Sequence, residues 1–195
     1  MVNTKCIGEH GEKMTIVVDT REQAPFDFLQ CGADIETARA ALSTGDYSLA
    51  GLETRIAVER KSLFDLVQCL GAGRARFERE LQRAAALESF CVVVESTWQA
   101  LVDGKYRSNL NPGAACASIA AFSARYGIAF HFAGNRAQAE RYTALYLRQY
   151  LRGKAHELDA IRQALGADFS GMRIKGAGAI ADAHTGTHEG AQELF

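Results

Sequence analysis

The stretch Arg55-Ile56-Ala57-Val58-Glu59-Arg60-Lys61 sets three apolar side chains directly ahead of three charged ones. A short apolar run of this kind reads as a strand. Side chains two apart on a strand share a face, so Glu59 and Lys61 lie together and Arg60 points the other way. The strand therefore leaves the core carrying a carboxylate and an ammonium on one side. An acid at a core edge costs several kcal/mol unless it is paired or bound to a cation. A chain with this stretch needs a sheet around the strand and a positive partner for the acid.

Other acids arrive in a similar way. Thr15-Ile16-Val17-Val18 is a continuous apolar run, typical of a strand buried on both faces, and it delivers Asp19 at its carboxyl end. Arg21, Glu22 and the turn signal Ala24-Pro25 follow. Gly45-Asp46 precedes Tyr47-Ser48-Leu49, a strand joined to Ile56-Ala57-Val58 around Gly51. Ser62-x-x-Asp65 has the form of a capping box, opening a helix with the apolar stripe Leu63, Leu66, Val67 and Leu70.

Beyond Gly71-Ala72-Gly73 the spacing of Phe77, Leu81 and Ala84 predicts a helix from about Arg74 to Leu87. Phe90 to Val94 reads as a buried strand, Trp98 to Val102 as a short helix, and Asn111-Pro112-Gly113 as a turn. A helix over about 114–125 ends at Gly127, Ile128 to Phe132 alternates as a strand, and 136–151 forms a long amphipathic helix. A further short helix is expected over 157–165, and Gly and Ala dominate from Gly166 onward. Residues 35–42 fit either helix or strand. The expected organisation is a flexible N-terminus over 1–13, one domain over 14–152, and a short helix with a Gly/Ala-rich flexible tail over 153–195. The fold class is α/β: a three-layer sandwich with a central mixed β-sheet.

Composition narrows the function classes. The formal net charge of −1 is not that of a protein that coats nucleic acid. No run approaches the ~18 apolar residues that span a bilayer, and the first residues lack a signal-peptide layout, so a cytoplasmic or otherwise intracellular location is expected. Five cysteines form no Cys-x-x-Cys pair and read as reduced thiols. His184 and His188 sit in the Gly-rich tail and read as tail residues, not ligands. Two local basic patches stand out. Arg74, Arg76, Arg79 and Arg83 face Glu78 and Glu80, and Arg136, Arg141, Arg148, Arg152 and Lys154 face Glu140. Each patch suits either a solvated helix face or a nucleic-acid contact.

Singly, the acids have ordinary explanations. Asp46 suits a turn beside its glycine, Asp65 a helix cap, Asp19 the exit from a strand, and Glu59-Arg60-Lys61 a charged strand end. Jointly, Asp19, Asp46 and Glu59 call for a cation, and Mg²⁺ prefers such hard oxygen ligands. An acid from elsewhere beside a Glu and a Lys on one strand face is the equipment of metal-assisted phosphodiester cleavage.

Gly45, Asp46, Glu59, Arg60, Lys61 and Asp65 resemble the Gly-Asp, Glu-Arg-Lys, Asp signature of the XPF family of structure-specific DNA endonucleases. Asp19, Arg21 and Glu22 match that family's upstream Asp-x-Arg-Glu strand end, and the likeness covers about residues 14–152. The resemblance implies a restriction-endonuclease-like fold and a Mg²⁺- or Mn²⁺-dependent endonuclease acting on branched, flapped or forked DNA in repair or recombination. It implies a catalytic set of Asp46, Glu59, Lys61, Arg60 and Arg21. Asp46 and Glu59 would be metal ligands, with Asp19 and either Glu22 or Asp65 adding coordination. Arg74, Arg76 and Arg79 are the expected DNA contacts. It also implies a homodimer through the helices at 114–125 and 136–152, whose faces include Ala117, Ala121, Tyr142, Tyr146 and Tyr150. Those faces suit an intramolecular core equally.

The chain departs from the family pattern after residue 152, where about 40 residues replace a tandem helix-hairpin-helix module. Ile174-Lys175-Gly176-Ala177-Gly178 is similar to one such hairpin, but its flanks are too short for a complete module. The ending Leu194-Phe195 is similar to sliding-clamp docking peptides, although Ala191 stands where they carry glutamine. The alternative function is a non-catalytic DNA-binding or scaffold module with the same fold.

Overall fold

The computed structural model describes residues 13–165. The expected tail, its histidines, the hairpin-like segment and Leu194-Phe195 lie outside the described residues. The chain divides into two compact units, Met1–Ala155 and His156–Phe195, and the first holds every described strand.

Six strands form one sheet: β1 (Met14–Asp19), β2 (Ile35–Ala40), β3 (Tyr47–Leu49), β4 (Ile56–Lys61), β5 (Ser89–Val94) and β6 (Ala129–Phe132). Their spatial order is β2-β1-β3-β4-β5-β6. The outer pairs are parallel, and β3 runs antiparallel to both β1 and β4. The mixed sheet expected from the alternation of strands and helices is present.

The helices are α1 (Leu63–Leu70), α2 (Arg74–Ala84), α3 (Trp98–Val102), α4 (Pro112–Tyr126) and α5 (Arg136–Leu165). On one side of the sheet, α1 to α4 pack Leu66, Phe77, Leu101 and Phe122 against Ala57, Val92 and Val94. On the other, α5 brings Ala139, Ala144 and Leu147 against Ile16, Val58 and Val93. Alternation along β4 sends Ile56 and Val58 to the α5 side and Ala57 to the other, so the three layers follow from the period of two.

Several elements differ from the expectation. Residues 35–40 form an edge strand that is almost wholly exposed, which is why no buried apolar run announced it. Asn111-Pro112-Gly113 is the start of α4 and not a separate turn. The Asn111 side chain accepts a hydrogen bond from the Ala114 amide (3.2 Å), and Pro112 takes the first helical turn, where its missing N–H leaves no bond unmade. α2 ends at Ala84, earlier than Leu87. The two helices expected over 136–151 and 157–165 are one helix of 30 residues. Gly153 costs that helix about 1 kcal/mol, but strong helix formers on both sides carry it through.

Candidate active site

Three strands bring acids to one rim of the sheet. Val18 pairs with Tyr47 and Tyr47 with Val58, so the ladder sets Asp19, Asp46 and Glu59 side by side. The Asp19 amide donates to the Asp46 carbonyl and the Asp46 amide to the Val58 carbonyl, both at 2.8 Å. Val18, Tyr47 and Val58 all pack on the α5 side, so the residues next to them face α1 and α2. The carboxyl groups of residues 46 and 59 thus share one face. With Lys61, Glu22 and Asp65 they line a cleft of about 380 Å³.

Gly45 makes this approach possible. Its φ is +79°, and a side chain there would meet the Ala57 Cβ at 2.9 Å and the Val58 carbonyl at 3.1 Å. Asp46 then turns its carboxylate onto the backbone of β4, where Oδ2 accepts from the Arg60 amide at 2.8 Å. Burial pushes the Asp46 carboxyl up to about 6; the Arg60 amide and Lys61 oppose the rise, while Glu22 and Glu80 add to it.

Glu59 is buried, at 4% exposure, and its carboxylate accepts a hydrogen bond from Lys61 Nζ. Burial raises the Glu59 carboxyl well above the usual range; Lys61 opposes this, and Asp46 and Glu80 reinforce it. Burial acts against the Lys61 charge, yet Glu59 prevails and keeps the ammonium protonated. Arg60 points to the opposite face, as the strand period requires. There it makes a two-pronged contact with Glu95 (2.8 and 3.1 Å), lies 3.4 Å from Glu22, and covers the Phe26 ring.

Asp19 is placed differently from a free ligand. Oδ1 accepts from the Arg21 amide and Nε at 2.8 and 2.7 Å, and Oδ2 from Arg21 Nη2 and the Leu42 amide at 3.0 and 2.7 Å. Burial works against its charge, but Arg21 and these amides hold its carboxyl below the usual range. Arg21 is correspondingly tied to Asp19 and to the Leu42 carbonyl. Glu22 folds back onto the Ala24 amide at 2.7 Å. Asp65 is exposed at the cleft margin in the first turn of α1, which Ser62 caps: Ser62 Oγ accepts from the Asp65 amide and donates to its carboxylate at 2.7 Å.

Of the three arginines expected on DNA, Arg74 is engaged in holding α2 on α4, with Nη1 2.7 Å from Ser118 Oγ and its guanidinium over Phe122. Arg76 and Arg79 are exposed. Two residues of the same helix, Glu80 and Arg83, line the cleft, although the sequence marks them only as part of a basic patch. A usable signal was present for Glu80, an acid three residues after the core residue Phe77 and so at the margin of the helix's buried face. Thr44, next to Gly45, also lines the cleft, and its hydroxyl oxygen is buried with no hydrogen-bond partner among the described residues.

Residues 18–146 match the ERCC4 domain. The chain belongs to the ERCC4-domain family. Two solved structures are also similar. One, described as XPF from Aeropyrum pernix in complex with DNA, shares 24% identity and a TM-score of 0.55, over 74% of this chain and 66% of that one. The other, XPF from Aeropyrum pernix, shares 24% identity and a TM-score of 0.53, over 76% of this chain and 69% of that one. The chain thus spans about two thirds of the length of the solved XPF structures it resembles. No curated protein sequence matches. At this identity the likeness is one of fold, and it bears out the restriction-endonuclease-like sandwich.

The oxygen donors of this ERCC4 domain suit a hard divalent cation held by few protein ligands. Among the described residues no three His, Cys, Asp or Glu side chains gather as a complete cage, and the Asp19 carboxylate is taken by Arg21 and the Leu42 amide. What the cleft offers is the half-buried Asp46 and the buried Glu59 carboxylates, and the unpartnered Thr44 hydroxyl. Mg²⁺ is commonly held by one or two carboxylates, with waters and substrate phosphates completing its shell. The residues present fit that mode.

Proposed function

We propose that this ERCC4 domain is a Mg²⁺- or Mn²⁺-dependent endonuclease that hydrolyses phosphodiester bonds at branched, flapped or forked DNA. The observation that carries the reading is the convergence of Asp46, Glu59 and Lys61 on one face of the sheet rim, inside one open cleft. Asp46 and Glu59 would hold the cation, and Asp19 supports them by fixing the end of β1 and Arg21. A divalent cation held there would supply Lewis-acid polarisation of the scissile phosphate and a more acidic water. Lys61 stays charged in the cleft, orients the attacking water and offsets negative charge growing on the phosphate. Arg60 braces β4 through Glu95. Arg76 and Arg79, with Arg83 at the cleft margin, take DNA phosphates beside the acids.

Within this reading the protein works inside the cell on DNA, and a second copy joins through α4 and α5. Tyr142, Tyr146 and Tyr150 pack against the chain's own core, so the exposed Ala117 and Ala121 are what α4 offers such a contact. No described helix is long and apolar enough to cross a membrane.

The test is a cleavage panel of single-stranded, duplex, flap, fork and four-way DNA with Mg²⁺ and Mn²⁺. Asp46→Asn and Lys61→Ala are each expected to lose about 100-fold or more in rate while remaining folded. Undiminished cleavage by both variants would remove these residues from the mechanism. Fork binding without cutting under every ion would favour the scaffold function instead.

A further inference from the structure

In the free protein the Lys61 ammonium is held on Glu59 Oε1, and that oxygen can turn to a cation only as the contact breaks. Releasing a buried ammonium without a new partner is costly, because one unpaired charge remains in a desolvated site. The fold holds a second acid within reach. Lys61 Nζ lies over the Phe77 ring, 5.7 Å from its centroid. Phe77 and Glu80 are three residues apart on α2 and so lie on the same side of the helix, one turn from each other. Glu80 is half-buried, lines the same cleft, and its charge acts on Lys61 as well as on Glu59 and Asp46.

The other acids of the cleft are engaged: Asp19 by Arg21 and the Leu42 amide, Asp46 by the Arg60 amide, Glu22 by the Ala24 amide and Asp65 by Ser62. Glu80 makes no hydrogen bond or ion pair among the described residues.

We propose that Glu80 is a positioning residue that receives the Lys61 ammonium when Glu59 turns toward a divalent cation. This inference rests on the nuclease reading and deepens it. The ammonium slides along the Phe77 ring from one carboxylate to the other, remains charged, and stays beside the cation site. Glu59 is thereby freed as a ligand without stranding a buried charge. Glu80 touches neither cation nor DNA in this role; it acts by holding Lys61.

Mn²⁺ binding by the full chain without DNA, followed by electron paramagnetic resonance or calorimetry, tests the inference apart from turnover. Glu80→Gln is expected to weaken Mn²⁺ binding on the order of tenfold, the usual effect of losing a group that orients a metal ligand. Lys61→Met removes the competitor for Glu59, so adding Glu80→Gln to it should change Mn²⁺ binding no further. An equal loss in both backgrounds would show Glu80 acting on the cation directly and overturn the inference. An unchanged affinity in Glu80→Gln with Lys61 present overturns it as well. No Mn²⁺ binding by the unaltered chain overturns the cation site itself, and this role with it. Melting curves of each variant keep loss of folding apart from loss of binding.

Discussion

Asp46 and Glu59 are neighbouring acids in a site that disfavours their charge, and the consequence is measurable without DNA. The Asp46 carboxyl is raised from 3.8 to about 6, so the folded state holds its proton more tightly than the unfolded chain does. The stabilisation is complete below pH 3.8 and is lost as pH rises through 6. The cost of the charged form above that point is on the order of 3 kcal/mol. In EDTA, the melting temperature of the native chain is expected to fall between pH 4 and 7 relative to Asp46→Asn. Mg²⁺ should restore it near pH 7 in the native chain and not in the variant, because ligand binding to the folded state alone stabilises it. Parallel pH curves for the two proteins, unaffected by Mg²⁺, would count against this environment for Asp46. At this scale the motif residues were legible because strand periodicity assigns faces. The engagement of Asp19 by Arg21 and Leu42 was not, since Leu42 comes from a separate connection 23 residues away.

Among elements, the turn ahead of β3 bears most directly on the chemistry. Gly45 lets the chain double back so that Asp46 reaches the β4 backbone. Gly45→Ala would combine an unfavourable φ with a 2.9 Å clash and is expected to destabilise the domain by about 1–3 kcal/mol. Its urea midpoint should drop and its cleavage rate fall together; an unchanged midpoint would mean that the turn tolerates a Cβ. The strands β1, β4 and β5 announced themselves as apolar runs, since both their faces are covered. β2 did not, because an exposed edge strand carries Glu36, Arg39 and alanines in place of a core pattern. The unbroken α5 was likewise hidden, because Gly153 and the change in composition suggested a stop that neighbouring helix formers override.

At the scale of the whole molecule, stability comes from two apolar layers on either side of one sheet. Leu147 is fully buried in the layer under α5, far along the chain from every acid of the cleft. Leu147→Ala is expected to cost about 2–5 kcal/mol in urea unfolding. The layered architecture was readable from the alternation of elements, whereas the identity of the cleft's other wall was not. Glu80 and Arg83 reach it only because α2 packs across Ala57 and Val92, a tertiary fact that no local pattern encodes.

The ladder that joins β1, β3 and β4 ties reactivity to pairing register. Sliding β4 by a single residue against β3 would turn Glu59 and Lys61 away from α1 and α2, toward α5. No half-active intermediate lies between those two alignments. Amide exchange at Asp46 and Arg60 should therefore slow or quicken in step with the innermost strands, so that loss of function on heating coincides with loss of the sheet.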